Sequence, residues 1–84
     1  MPYIFHRKFK KKFKRLSPET KEQFFDRLKI FYVNPFDERL SNHTVYKVYP
    51  GCRSINITGD IRALYETHDN VAVFVNIGTH SDLY

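Results

Sequence analysis

The spacing of apolar residues changes once along this chain, and that change limits the folds open to it. Up to about residue 33 they recur at helical spacing; from Thr44 onward they alternate, as strands do. Phe9, Phe13 and Leu16 form one apolar stripe on a helix whose other positions are mostly Lys or Arg. Ser17-Pro18-Glu19 opens a second helix: Ser caps it, Pro suits the first helical position, and Glu faces the positive end of the dipole. Phe24, Phe25, Leu28, Phe31 and Tyr32 are its expected buried face, and Asn34-Pro35 stops it near Val33. Strands are expected at Val45–Tyr49, Arg53–Thr58, Ile61–Thr67 and Val71–Ile77. The last is apolar enough to lie centrally. Turns fall at Pro50-Gly51, Gly59-Asp60 and His68-Asp69-Asn70, and Tyr3-Ile4-Phe5 is a short strand or an entry segment. The expected class is α+β: an N-terminal helical hairpin on one face of a four-stranded antiparallel twisted sheet, with room for one short N-terminal strand.

Eighty-four residues, 42% of them hydrophobic, make one domain over residues 1–84 with a single core. Cys52 is the sole cysteine, so no internal disulfide can form, which suits a reducing, cytoplasmic compartment. No apolar run nears the roughly 20 residues of a membrane span, and no signal-peptide apolar region follows the basic start, so no membrane partner is expected.

Charge is unevenly placed. Residues 1–15 hold seven cations (Arg7, Lys8, Lys10, Lys11, Lys12, Lys14, Arg15) and no acid; the other seven cations face nine acids. Such a block suits an anionic partner such as RNA, or is simply a solvated helix face.

The histidines lack paired metal-ligand spacing, and one Cys cannot complete a zinc set, so neither metal nor cofactor is expected. No Gly-rich phosphate loop or Ser or Cys nucleophile signature is present. The remaining polar set is His43, Arg53, Asp60, Arg62, His80 and Tyr84. Arg53 and Arg62 flank one turn, where two guanidinium groups can converge on a phosphate or pair with Glu66 or Asp60. Asp60 can simply shape its turn, the commoner role for Gly-Asp. Tyr84 can anchor the C-terminus or stack on a base. His43 at a strand start suits a structural hydrogen bond, His68 a solvated turn, and His6 an addition to the basic block. His80 stands out because it follows a central strand and lies near the end of the chain.

The series Leu40-x-x-His43, Gly51-x-Arg53, Gly59-Asp60-x-Arg62-x-x-Tyr65 and Gly78-Thr79-His80-x-x-Leu83-Tyr84 resembles the RelE/ParE toxin superfamily, and most closely its YafQ-like branch. The helical half matches more loosely, through Phe9-Lys10-Lys11, Leu16 and Asn34-Pro35. The resemblance implies a RelE-like fold and a toxin that cleaves mRNA in the ribosomal A site without metal. It also implies a cognate antitoxin protein that neutralises the toxin. On that reading His80 is the general acid and His43 or Asp60 the base. Arg53 and Arg62 stabilise the phosphate, Tyr84 lies beside the substrate base, and Lys10, Lys11 and Lys14 hold mRNA or ribosomal RNA backbone. RNA brings its own nucleophile, the 2′-hydroxyl, so cleavage needs a base for that proton, an acid for the 5′-oxygen and cations for the phosphorane charge.

Three positions depart from the branch: Asn56 stands where it has a histidine, Ile61 where it has a tryptophan, and Asn76 where it has an arginine. Arg62 can supply the lost charge, as in the RelE branch. Two other readings remain open at this point. One is a ParE-like toxin that inhibits gyrase by protein contact, against which the Gly-Thr-His tail argues. The other is a degenerate member that only binds antitoxin or RNA, for which Asn56 and Asn76 argue.

Overall fold

A computed structural model describes all residues, 1–84. In chain order the elements are β1 (Tyr3–Phe5), α1 (Arg7–Phe13), α2 (Pro18–Val33), a 3-10 turn (Glu38–Leu40), β2 (His43–Thr44), β3 (Cys52–Asn56), β4 (Ile61–His68), β5 (Val71–Thr79) and α3 (His80–Leu83). The sheet runs β1-β5-β4-β3-β2, antiparallel throughout except that β1 lies parallel to β5. The expected antiparallel sheet is thus a mixed, five-stranded one. The N-terminal segment does add a strand, and it joins the far edge, where no tight turn forces it to be antiparallel.

The helices follow the local signals. Ser17 Oγ accepts from the Thr20 N–H at 3.1 Å, with Pro18 in the first helical position. His6, which charge alone left without a role, caps α1: its Nδ1 accepts from the Lys8 N–H at 3.0 Å. On α2 only Phe24, Leu28 and Phe31 are buried; Phe25 and Tyr32 are 49% and 59% exposed. One helical hairpin can press only one stripe against the sheet, and these two rings fall beside it.

The expected strand at Val45–Tyr49 is not formed. That segment coils, with the Tyr49 N–H donating to the Val45 carbonyl at 2.8 Å and the Cys52 N–H to the Tyr49 carbonyl at 3.0 Å. Pro50 has no N–H to give a ladder, and Gly51 at φ +82° turns the chain back. Strand β2 shrinks to His43 and Thr44, opposite Ser54 and Arg53.

The sheet has two distinct faces. Ile55, Ala63, Tyr65, Ala72, Phe74 and Ile77 join Phe9, Phe24, Leu28 and Phe31 in the core under the helices. Phe31 meets Tyr65 and Phe74 edge-on, at centroid distances of 5.0 and 5.4 Å. Phe74 and Ile77 are three residues apart, so strict alternation would point them to opposite faces. The ladder pairs Leu64 with Asn76 but Tyr65 with Phe74, leaving Val75 as an extra residue. This bulge puts both Phe74 and Ile77 into the core. It also turns Asn76 and Gly78 onto the opposite, open face.

Candidate active site

Cross-strand register decides what shares the open face, because directly opposed residues point the same way. His43 opposes Ser54, Ser54 opposes Leu64, and Leu64 opposes Asn76; in the next row Asn56 opposes Arg62 and Arg62 opposes Gly78. His43, Asn56, Arg62, Asn76 and Gly78 therefore line one face, away from the helices. Arg53 opposes Tyr65 and takes the other face.

The C-terminal tail folds across this open face. Thr79 and Asp82 form a capping box: the Asp82 N–H donates to Thr79 Oγ1 at 3.0 Å, and the Thr79 N–H to Asp82 Oδ2 at 3.2 Å. Hydrogen bonds from Thr79, reinforced by the Lys12 charge, hold the Asp82 carboxyl below its usual range. Gly78 makes the fold-back possible, since a Cβ there would stand 3.2 Å from Asp82 Cβ. Leu83 is 3% exposed yet lies outside the helical core, as do the buried Leu64 and Cys52. Tyr49, in the coiled loop, donates its hydroxyl to the Leu83 carbonyl at 2.8 Å. This latch is what the misread strand is for. It leaves the His80 ring 4.6 Å from the Tyr84 ring, with both residues exposed.

His43 is exposed at the outer edge of the sheet, and its Nδ1 lies 2.7 Å from the Ser41 carbonyl. A carbonyl can only accept, so Nδ1 carries a proton and, in the neutral ring, Nε2 carries the lone pair. Arg62 reaches the Thr58 and Gly59 carbonyls through Nη1 alone, at 3.4 Å each, and meets no carboxylate. Most of its donors are free for an anion. Asp60 is exposed at the tip of the β3–β4 turn. It precedes Ile61, which pairs with Thr79, the residue before His80. Asp60 and His80 thus leave the sheet at the same corner.

Arg53 does not converge with Arg62. It donates through Nε to Asn42 Oδ1 at 2.7 Å, and its guanidinium lies 5.1 Å from the Phe36 ring centroid. Neither arginine pairs with Glu66, whose Oε2 lies 2.8 Å from His68 Nε2. Nor does the basic helix act as one block. Taking about 100° per residue, Lys12 falls roughly 60° to one side of Phe9, and Lys10 and Lys14 fall roughly 100° and 140° to the other. Lys10 and Lys14 line an apolar groove of about 300 Å³ with Phe5, Phe9, Phe13, Phe24 and Phe25. Lys11 projects into solvent. Lys12 instead reaches round β5, and its Nζ donates to Asn76 Oδ1 at 2.7 Å. Lys12 and Tyr49 escaped the sequence reading, although the helical wheel already sets Lys12 apart from its neighbours.

Two further polar atoms face the same side. Ser54 Oγ and Asn56 Oδ1 are buried without a hydrogen-bond partner. Such groups cost about 1–3 kcal/mol each and are uncommon away from ligand sites and strained sites. No three His, Cys, Asp or Glu side chains are grouped as a metal would need.

The profile of the family described as bacterial toxin of type II toxin–antitoxin system, YafQ, matches residues 2–84. The chain belongs to the YafQ toxin family. Its fold is that of YafQ from E. coli strain BL21(DE3), with a TM-score of 0.77 at 20% identity over 98% of this chain and 96% of that one. The YoeB/ParE toxin from Agrobacterium tumefaciens matches with a TM-score of 0.75 at 15% identity, over 95% of this chain and 99% of that one. The toxin fold in the intact E. coli RelBE toxin–antitoxin complex matches with a TM-score of 0.71 at 21% identity, over 93% and 94% respectively. No curated protein matches the chain by sequence. The fold is therefore RelE-like α+β, with Gly78 and Thr79 closing β5 and His80 opening α3. No helix is long and apolar enough to cross a membrane.

Proposed function

We propose that this toxin is a metal-independent endoribonuclease that cleaves mRNA in the ribosomal A site and is held in check by a cognate antitoxin protein. One observation carries the reading: His43, Arg62 and the His80 tail follow one another across a single open face, with Arg62 between the two histidines.

The order suits in-line displacement. The 2′-oxygen attacks phosphorus on one side while the 5′-oxygen leaves on the other, so the base and the acid belong on opposite flanks of the phosphate. His43 Nε2, with its lone pair free, takes the 2′-hydroxyl proton. The 2′-oxygen–phosphorus bond forms and the bond to the 5′-oxygen breaks. His80 gives its proton to that leaving oxygen. The products are a 2′,3′-cyclic phosphate end and a 5′-hydroxyl end. Arg62 offsets the charge on the phosphorane. This division favours His43 over Asp60 as base, because Asp60 leaves the sheet at the same corner as His80, on the side of the acid. Tyr84 offers a ring to a flanking base, and Arg53 has no part. The solved RelBE complex supports a protein antitoxin as partner.

Induction in bacteria, with transcripts mapped by primer extension, tests the reading. Wild type is expected to arrest growth and cut mRNA at defined codons. His80→Ala is expected to do neither, at unchanged fold, since each positioned proton-transfer group supplies about 10²–10⁴-fold. Growth arrest with intact transcripts and inhibited gyrase supercoiling would refute it.

A further inference from the structure

Resting on that reading, we infer that Lys12 is a catalytic residue: its ammonium contacts the scissile phosphate beside Arg62, held in place by Asn76. Four observations carry the inference.

The first is position. Strand β1 covers β5 only at Ala72–Phe74, with the His6 N–H donating to the Phe74 carbonyl. Helix α1 also packs against β5, and beyond Phe74 no strand pairs with that edge of β5. That gap lets the Lys12 side chain pass from the helical layer to the open face.

The second is anchoring. Lys12 Nζ donates to Asn76 Oδ1 at 2.7 Å, and the same oxygen accepts from the Ile77 N–H at 3.0 Å. The donation from the Ile77 N–H to Asn76 Oδ1 fixes the amide rotamer, so the ammonium has one defined site.

The third is proximity. Nζ lies 3.6 Å from where a Cβ on Gly78 would stand, and Gly78 is the cross-strand partner of Arg62. The room left by the missing side chain at Gly78 is taken up by Asp82, whose Cβ and Oδ2 lie 3.2 and 3.4 Å from that point.

The fourth is charge. Lys12 forms no salt bridge, although Asp82 is near enough to feel its field. An ammonium uses three donors and only one is spent here. A half-buried cation with two donors unspent, on the face that carries Arg62, is arranged for an oxyanion. Its neighbours Lys10, Lys11 and Lys14 have no such setting.

The test uses ribosomes programmed with mRNA under single-turnover conditions. Wild type is compared with Lys12→Met, Lys12→Arg, the double variant Lys12→Met/Asn76→Lys, and Lys29→Met on α2 as an outside control. Loss of one transition-state contact to the phosphorane is expected to slow Lys12→Met by about 10²–10³-fold at saturation. Lys29→Met is expected to match wild type. The double variant returns an ammonium to the same place from the strand side and is expected to recover at least tenfold over Lys12→Met, which a structural role for Lys12 would not produce. A second readout needs no cleavage: binding of an RNA carrying a single 2′-deoxy nucleotide at the cleaved position, measured against salt. Lys12→Met is expected to lower the slope of log affinity on log salt by about 0.7. Cleavage by Lys12→Met at the wild-type rate, no recovery in the double variant, or an unchanged salt slope would overturn the inference. If wild type itself leaves mRNA intact, the endoribonuclease reading falls, and the salt slope still decides whether Lys12 contacts phosphate.

Discussion

Leu83→Ala separates a tail that is latched onto the sheet from one that is part of the core. Leu83 is 3% exposed, and a leucine of that burial in a domain core costs about 2–5 kcal/mol when cut to alanine. In a chain of 84 residues each kcal/mol moves the melting temperature by about 4–8 °C, so a core role would lower it by about 8 °C or more. The structure argues otherwise. α3 is four residues long and is held by Leu83, the Thr79–Asp82 capping box and the Tyr49 hydroxyl on the Leu83 carbonyl. Burial of one leucine contributes about 1.5–3 kcal/mol, and the cap and the hydrogen bond about 1 kcal/mol each. Ordering four residues costs about 1–2 kcal/mol apiece, which offsets those gains and leaves a net hold of no more than about 1 kcal/mol. The cost of any substitution here is capped at that net value, because the tail lets go before the core does. Leu83→Ala is therefore expected to lower the melting temperature by less than about 8 °C while abolishing amide-exchange protection at Leu83 and Tyr84. It is also expected to part the His80 and Tyr84 rings, seen as loss of their mutual ring-current shifts. A fall of 15 °C or more with the tail amides still protected would refute the latch.

Arg53→Ala and Arg62→Ala are expected to diverge, although both arginines flank one turn. Arg53→Ala removes the Asn42 and Phe36 contacts and is expected to cost about 1–3 kcal/mol in a denaturant melt, with cleavage within a few-fold of wild type. Arg62→Ala is expected to leave the melt within about 0.5 kcal/mol and to lose about 10²–10³-fold in rate. The Asp82 carboxyl is held low by Thr79 and then by Lys12, so its charged form belongs to the folded tail. Its support for the tail is complete above the ordinary carboxylate range and is lost as pH falls through the lowered folded value. NMR titration of the Thr79 and His80 amides is expected to show a midpoint below that of a free aspartate, and Asp82→Asn to remove the transition.

The physical reasons for what the sequence revealed are local. Ser17-Pro18, the Phe24, Leu28 and Phe31 spacing, Asn34-Pro35 and the Asp69-Asn70 turn, where both residues take positive φ, each act within a few residues. The errors came where tertiary contacts outweigh local pattern. Val45-Tyr46-Lys47-Val48-Tyr49 alternates as a strand does, but Tyr49 is spent on the tail, 34 residues away. The Val75 bulge carries no signature of its own, yet it decides that Asn76 and Gly78 share a face with Arg62. Phe25 and Tyr32 are as apolar as their buried neighbours, and only the width of the helix–sheet contact leaves them out. Of the site, His43, Arg62 and His80 were legible through the family pattern, while the separation of Arg53 from Arg62 needed the strand register. Lys12 was hidden in a run of like charges, and only its place on the helical wheel sets it apart.

The central claim is that the open face turns the substrate's own 2′-hydroxyl into a nucleophile. Its most direct test is the end chemistry of mRNA cut on programmed ribosomes by the purified toxin. The account predicts 2′,3′-cyclic phosphate and 5′-hydroxyl ends, no cut when the cleaved nucleotide is 2′-deoxy, and no cut by His80→Ala. A 3′-hydroxyl end, or equal cleavage of the 2′-deoxy message, would contradict it.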